Sequence, residues 1–263
     1  MRSLSGFFSY LFVGVFFYLA ITKATTNPSL FLNLHGLAIV FGGILVAGLA
    51  SFPWTILKDA VVATFRALNT KSKINHLASD ELLLLSMAYQ KGLNEFERVS
   101  QNLNHSFVKD SANLILEGIQ HEFIIELLEK RINEKRTQVQ SHMNVLLTLS
   151  KYSPAMGLAA TVLGLVSLLD KLATADMGQL GIGMAIALSG TFYGIIISNL
   201  IFTPLSELIA SSGDIEIKEE EMIADAIDSM LSKKNPLVIG ELINSYLPTN
   251  QKLNFIEKIR EVA

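Results

Sequence analysis

The chain has no cysteine, which removes disulfides and thiolate metal sites at once. Its five histidines are scattered and show no His-Glu-x-x-His spacing, so a zinc site of that kind is excluded as well. Charge is scarce: Asp, Glu, Lys and Arg make up 17% of the 263 residues, where a soluble domain carries about 25%. A basic excess is also lacking. The formal net charge of −3 offers no positive field of the sort that nucleic-acid binding draws on, so no nucleic-acid partner is expected. No nucleophile, base and orienting group gather on one element, so no enzymatic activity and no cofactor are expected either.

What the chain does have is apolar residues, half of the total, gathered in runs. A helix crossing bilayer hydrocarbon needs roughly 17 to 25 of them, and four windows approach that with no acid or base inside: about 6–22, 36–52, 154–169 and 177–203. The first is aromatic-rich and follows Arg2. A cleavable signal peptide is the alternative there, but Lys23 stands where a small-residue cleavage site would be needed. Nineteen of the 21 basic residues fall at Arg2, between Lys58 and Lys151, or from Lys218 onward. Positive loops stay cytoplasmic, so both termini are expected in the cytoplasm of a multi-pass inner-membrane protein. The division that follows is 1–52 for spans 1 and 2, 53–152 for a cytoplasmic helical insertion, 153–204 for spans 3 and 4, and 205–263 for a cytoplasmic helical tail. The expected fold is all-α, with long helices projecting from the membrane. The run from Phe123 through Ile132 toward Met143 and Leu147 holds no proline or glycine and is expected to continue straight into span 3. Glu207 to Met230 should likewise carry span 4 outward until Asn235-Pro236 stops it.

A charge kept at the bilayer centre is usually functional, and these windows keep none. His35 sits at interfacial depth. If the chain helps to move ions, it must borrow a carboxylate from a partner. In place of charge the spans carry small residues in rows: Gly157, Ala160, Gly164 and Ser167 in span 3, and Gly183, Ala187, Gly190, Gly194 and Ser198 in span 4. Small faces let helix backbones approach closely in lipid. Two readings follow, packing of spans 3 and 4 on each other and a smooth surface for a partner helix. Thr161 and Thr191 are the intramembrane hydroxyls of interest, although threonine in a helix commonly bonds its own backbone four residues back. Pro154 opens span 3, where proline is tolerated, and Pro204 closes span 4, where it should kink a continuing helix.

The stretch Ser153-Pro-Ala-Met-Gly-Leu-Ala-Ala-Thr-Val-Leu-Gly-Leu-Val-Ser-Leu-Leu169 resembles the third-span signature of MotA/PomA stator subunits. Gly183 to Pro204, with Ala187-Leu-Ser-Gly-Thr-Phe-Tyr-Gly194 at its centre, is similar to the family's fourth span, and Gly42-Gly43, Asn235-Pro236-x-Val-Ile and Tyr246-Leu247 also fit. The resemblance covers nearly the whole chain. It implies a homopentameric ring around a MotB/PomB-like single-span partner that carries the ion-binding Asp and anchors to peptidoglycan. The ring would conduct Na+ or H+ and turn a FliG-like rotor of the flagellar switch.

Carried onto this sequence, the family's ion path falls on Thr161 and Thr191, and its conformational coupling falls on Pro154 and Pro204. Partner-helix packing falls on the small rows. Thr161 matches sodium-type members and favours Na+ over H+, while Gly190 departs from the second threonine of that pattern. For the rotor interface, Glu97 matches the family's glutamate, but its arginine aligns with Tyr89, leaving Lys91 or Arg98 as substitutes. The rival readings are an ExbB/TolQ-like energiser, which usually has three spans, and a passive membrane scaffold.

Overall fold

The computed structural model describes residues 12, 14–16, 18–19, 22–23, 31, 33–69, 76–172, 177–255 and 257; the side chains of 171–180 and 182 lie outside the description. The described residues are all-α, with no strand among them. Three of their helices are long and apolar enough to cross a membrane, within Leu34–Ser51, His121–Asp170 and Gly183–Leu231. The remaining expected span, 6–22, lies largely outside the described residues.

Two compact units share the chain: Met1–Thr70 with Val139–Ser211, and Lys71–Gln138 with Ser212–Ala263. In the first, α1 (Leu34–Ser51) opens on Asn33, whose side chain accepts from the backbone N–H of His35 and Gly36 at 3.0 and 3.2 Å. Two of the orphan donors of a helix start are satisfied in this way. Its buried residues, Gly36, Val40, Ile44 and Gly48, recur every fourth position and form one stripe. After Pro53 comes α2 (Trp54–Asn69), which buries Ala60, Thr64 and Ala67. Ala67 joins Leu146 and Ile209 in a small apolar cluster.

The second unit holds α3 (His76–Lys91), α4 (Leu93–Ser100) and α5 (Ser106–Leu116). Gly92 turns the corner between α3 and α4 at φ 120°, a backbone that only glycine adopts cheaply. Tyr89 and Phe96 then meet edge to face across that corner, their ring centroids 5.5 Å apart. Glu81 is buried and its carboxylate accepts from the N–H groups of Asn104 and His105 at 2.7 and 3.1 Å, fixing the entry to α5. Ile124, Leu128, Met222, Ile223, Ile227, Ile239 and Ile243 are among the fully buried apolar residues of this unit, with Leu85, Phe96 and Val108.

Both units draw on two long helices. α6 (His121–Leu172) runs 52 residues without a break and contains Pro154, so the insertion does pass straight into the apolar segment. Pro154 therefore sits in a helix interior rather than at a first turn. α7 (Met177–Ile196) passes through a π turn, Ile197–Phe202, into α8 (Thr203–Leu231). The sequence predicts a kink at Pro204 in a continuing helix; the helix does continue, and the structure puts a wider turn just ahead of the proline. Within that turn the N–H of Thr203 reaches back five residues to the carbonyl of Ser198, which changes the register of the ladder where proline has no N–H to give.

Asn235-Pro236 is also reassigned. α8 ends at Leu231 and is closed by Lys233 at φ 55°, with Lys233 N–H donating to Met230 O and Lys234 N–H to Ser229 O at 2.9 and 3.1 Å. This is a Schellman closure with lysine in the place glycine usually takes. Asn235 then caps α9 (Pro236–Tyr246), accepting from Leu237 N–H at 2.9 Å, with Pro236 at its first turn.

Candidate functional site

The small-residue rows settle the geometry of the site, because they face each other. A Cβ placed on Gly157 would meet Gly190 O at 3.0 Å, Thr191 Cα at 3.1 Å and Gly194 Cα at 3.4 Å. One on Gly164 would meet Ala187 N at 2.7 Å and Gly183 O at 2.8 Å, and one on Gly194 would meet Ser153 O at 2.6 Å. Gly157, Ala160, Gly164, Gly183, Ala187, Gly190, Gly194 and Ser198 are all buried. They form the seam of α6 on α7, not an open surface for a partner helix. Close approach of two backbones requires residues without side-chain bulk, and the rows supply them on both sides. The exposed apolar residues of the apolar part of this pair include Leu158, Val162, Leu163, Leu165, Val166 and Leu169 of α6 and Met184, Leu188 and Ile195 of α7. In α1, Gly43 abuts Met156, whereas a Cβ on Gly42 would meet nothing within 4 Å.

The close seam brings Thr161 and Thr191 together. Their hydroxyls hydrogen-bond to each other. Thr161 Oγ1 also lies 3.1 Å from both Gly157 O and Ala187 O, and Thr191 Oγ1 lies 3.4 Å from Ala187 O. Two hydroxyls carry two protons between them. One donates to its neighbour, leaving a single donor for the two carbonyls. The cluster is four oxygens deep, half-buried and free of charge. Each threonine lies within hydrogen-bond distance of the carbonyl four residues back on its own helix, where threonine commonly bonds, but the two also share one site on different helices, which that habit alone does not provide. Oxygen-only surroundings suit a hard cation. Among the described residues no group of His, Cys, Asp and Glu could hold a metal ion.

Pro154 and Pro204 are half-buried. A proline inside α6 deprives the carbonyl four residues before it, Ser150 O, of its helical donor. That acceptor is served from across the seam: Ser198 Oγ donates to Ser150 O at 2.7 Å in a buried bond. Sequence reading grouped Ser198 with the packing row and passed over Ser150, although counting back four from Pro154 would have singled it out. Tyr193 was missed too. Its hydroxyl donates to Phe31 O and accepts from Asn33 N–H, the latter at 2.9 Å, tying the approach to α1 onto α7 beside Thr191.

The rotor candidates lie elsewhere, around the Gly92 corner. Lys91, Glu97 and Arg98 are exposed, and Arg98 pairs with Glu95 at 2.5 Å on its own helix. Tyr89 is held against Phe96.

Residues 99–222 match the MotA/TolQ/ExbB proton channel family. Motility protein A of Bacillus subtilis (strain 168) is 24% identical over 241 residues, covering 90% of this chain and 85% of that protein. Chemotaxis protein PomA of Vibrio alginolyticus is 27% identical over 225 residues, 83% of this chain and 85% of its own. The fold matches a chain in a structure of C. jejuni MotAB with a TM-score of 0.85 at 19% identity, covering 95% of this chain and 98% of that one. A pair of helices long and apolar enough to cross a membrane, with facing small-residue rows, and relatives aligned over most of both lengths make this chain similar to the MotA/PomA stator subunits.

Proposed function

We propose that this protein is the ring-forming stator subunit of an ion-driven flagellar motor, acting by binding and gating rather than by bond making. The observation that carries the ion-path part of this reading is the Thr161–Thr191 oxygen cluster at the α6–α7 seam. It offers oxygens but no charge, so a MotB/PomB-like single-span partner supplies the ion-binding Asp. Na+ is favoured over H+, because hydroxyl and carbonyl oxygens can replace water around a hard cation. Five copies surround the partner. A partner helix approaching α6 and α7 meets the exposed ridge of Leu158, Val162 and Val166, since the glycine rows are occupied. Pro154 and Pro204 couple events at the oxygen cluster to the helices that leave the membrane. Lys91, Glu97 and Arg98 face a FliG-like rotor. The protein lies in the bacterial inner membrane with both termini cytoplasmic.

The test is co-expression with such a partner, mass determination of the complex, and swimming speed with Na+ varied at constant ionic strength. A five-to-two complex with Na+-dependent speed is expected. Thr161→Ala and Thr191→Ala should each reduce speed and change its ion dependence. If both leave motility and ion dependence as they were, these hydroxyls are not on the ion path.

A further inference from the structure

Proline in a membrane helix leaves one carbonyl with no donor, and lipid cannot hydrogen-bond it. In α6 that carbonyl is Ser150 O. The side chain that satisfies it belongs to Ser198, whose own backbone carbonyl is the acceptor of the wide turn leading to Pro204. One residue is therefore bonded at both proline sites, to α6 through its hydroxyl and to the π turn through its main chain. Ser198 reaches Ser150 because Gly194, one turn earlier, lies against the backbone of Ser153 and Gly157, where any side chain would hold the helices apart.

We propose that Ser198 is a positioning residue that couples the two prolines, locking the geometry of α6 at Pro154 to the register of the turn before Pro204. The proposal rests on the reading of Pro154 and Pro204 as coupling elements. A change of bend at Pro154 moves Ser150 O, and the bond transmits that movement to the π turn and on to α8. If the bond breaks, the two prolines bend independently and Ser150 O is left bare in a buried, apolar seam.

Ser198→Ala, Ser198→Thr, Pro154→Ala and the double variant Pro154→Ala/Ser198→Ala test this in the full complex, with its partner. Two readouts are needed: the apparent unfolding midpoint of the purified complex, and swimming speed at equal amounts of assembled complex. Ser198→Ala should lower the midpoint by a few degrees and slow swimming, and Ser198→Thr, which keeps the hydroxyl, should restore both. In the Pro154→Ala background the alanine N–H serves Ser150 O, so removing the Ser198 hydroxyl should lower the midpoint no further. The proposal is overturned if Ser198→Ala swims at wild-type speed, or if its effect on the midpoint is the same with and without Pro154. Should Ser198→Ala fail to assemble, recovery of assembly in the double variant supports the proposal and continued failure overturns it. Wild-type swimming by Pro154→Ala would instead sink the coupling role of the prolines themselves, which separates the two failures.

Discussion

A single methyl group at Gly164 tests the seam most directly. Its Cβ would lie 2.7 Å from Ala187 N, 2.8 Å from Gly183 O and 2.9 Å from Ala187 Cα, all backbone atoms of the facing helix, where ordinary contact begins at 3.4 Å. No rotamer change relieves this, so α6 and α7 must separate by about half an ångström or more. Overpacking of this kind costs about 1–3 kcal/mol, while replacing glycine by alanine in a helix returns up to about 1 kcal/mol. Taking the overpacking at its middle value of about 2 kcal/mol, the balance for Gly164→Ala is a loss of about 1–2 kcal/mol. At roughly 2–4 °C per kcal/mol for a chain of this size, the apparent unfolding midpoint of the complex should fall by about 2–8 °C. Gly42→Ala is the matched control, a glycine in a membrane helix with open space around its Cβ position, and its midpoint should be unchanged or higher. The opening of the seam also parts Thr161 from Thr191, so Gly164→Ala should alter ion dependence, and Gly42→Ala should not. A Gly164→Ala complex as stable as wild type, or a Gly42→Ala complex destabilised as much, would refute the reasoning.

Two further outcomes can be measured. Glu97→Lys reverses an exposed charge beside the Gly92 corner and should lower torque in a tethered-cell assay at normal complex levels; loss of assembly would mark Glu97 as structural. In the second unit Lys135 Nζ lies 2.8 Å from Glu216 and 3.5 Å from Glu220. Burial pushes the Glu220 carboxyl above its ordinary value; Lys135 opposes the shift and Glu216 adds to it, with a weaker lowering by His105. A carboxyl raised in the folded state stabilises the fold below its unfolded value of 4.5, and that contribution is lost as pH rises through the folded value. Glu220→Gln should therefore match or exceed wild-type stability at pH 7 and lose any advantage below about pH 4.5. A lower midpoint at pH 7 would show that the pairing with Lys135 outweighs the burial of the charge.

Much of this architecture was legible because it follows from periodicity. The absence of proline and glycine between Phe123 and Leu147 made a continuous helix readable, and the spacing of Gly157, Ala160 and Gly164 announced a close-packed face. Which surface meets that face is a different question. Lipid is as apolar as a partner helix, so hydrophobic pattern cannot distinguish a row that faces its own neighbour from one that awaits another chain. The structure decides it through backbone distances. The expected run to Met230 matches the end of α8 at Leu231, but what stops the helix was not legible: Lys233 carries no signature of a left-handed turn, and the Asn235-Pro236 pair that does carry a signature is the start of the next helix.

The hydrogen bond between Ser198 and Ser150 shows where such reading runs out and how far it could have gone. Proline's lack of an N–H identifies Ser150 O as an acceptor in need of a donor, from sequence alone. Buried polar groups are almost always satisfied, so some donor must approach that point. The candidates on the fourth span include Thr191, Tyr193, Ser198 and Asn199, and no periodicity ranks them. Choosing Ser198 requires the offset between α6 and α7, and that offset is set by the facing of Gly157 with Gly194 and of Gly164 with Ala187. The glycine row therefore determines which hydroxyl reaches the carbonyl that Pro154 leaves bare, and the same offset determines that Thr161 meets Thr191. A shift of one helical turn along the seam would undo both contacts together. The meeting of the two threonines and the bond to the carbonyl that Pro154 leaves bare thus share one structural variable, the register of α6 on α7.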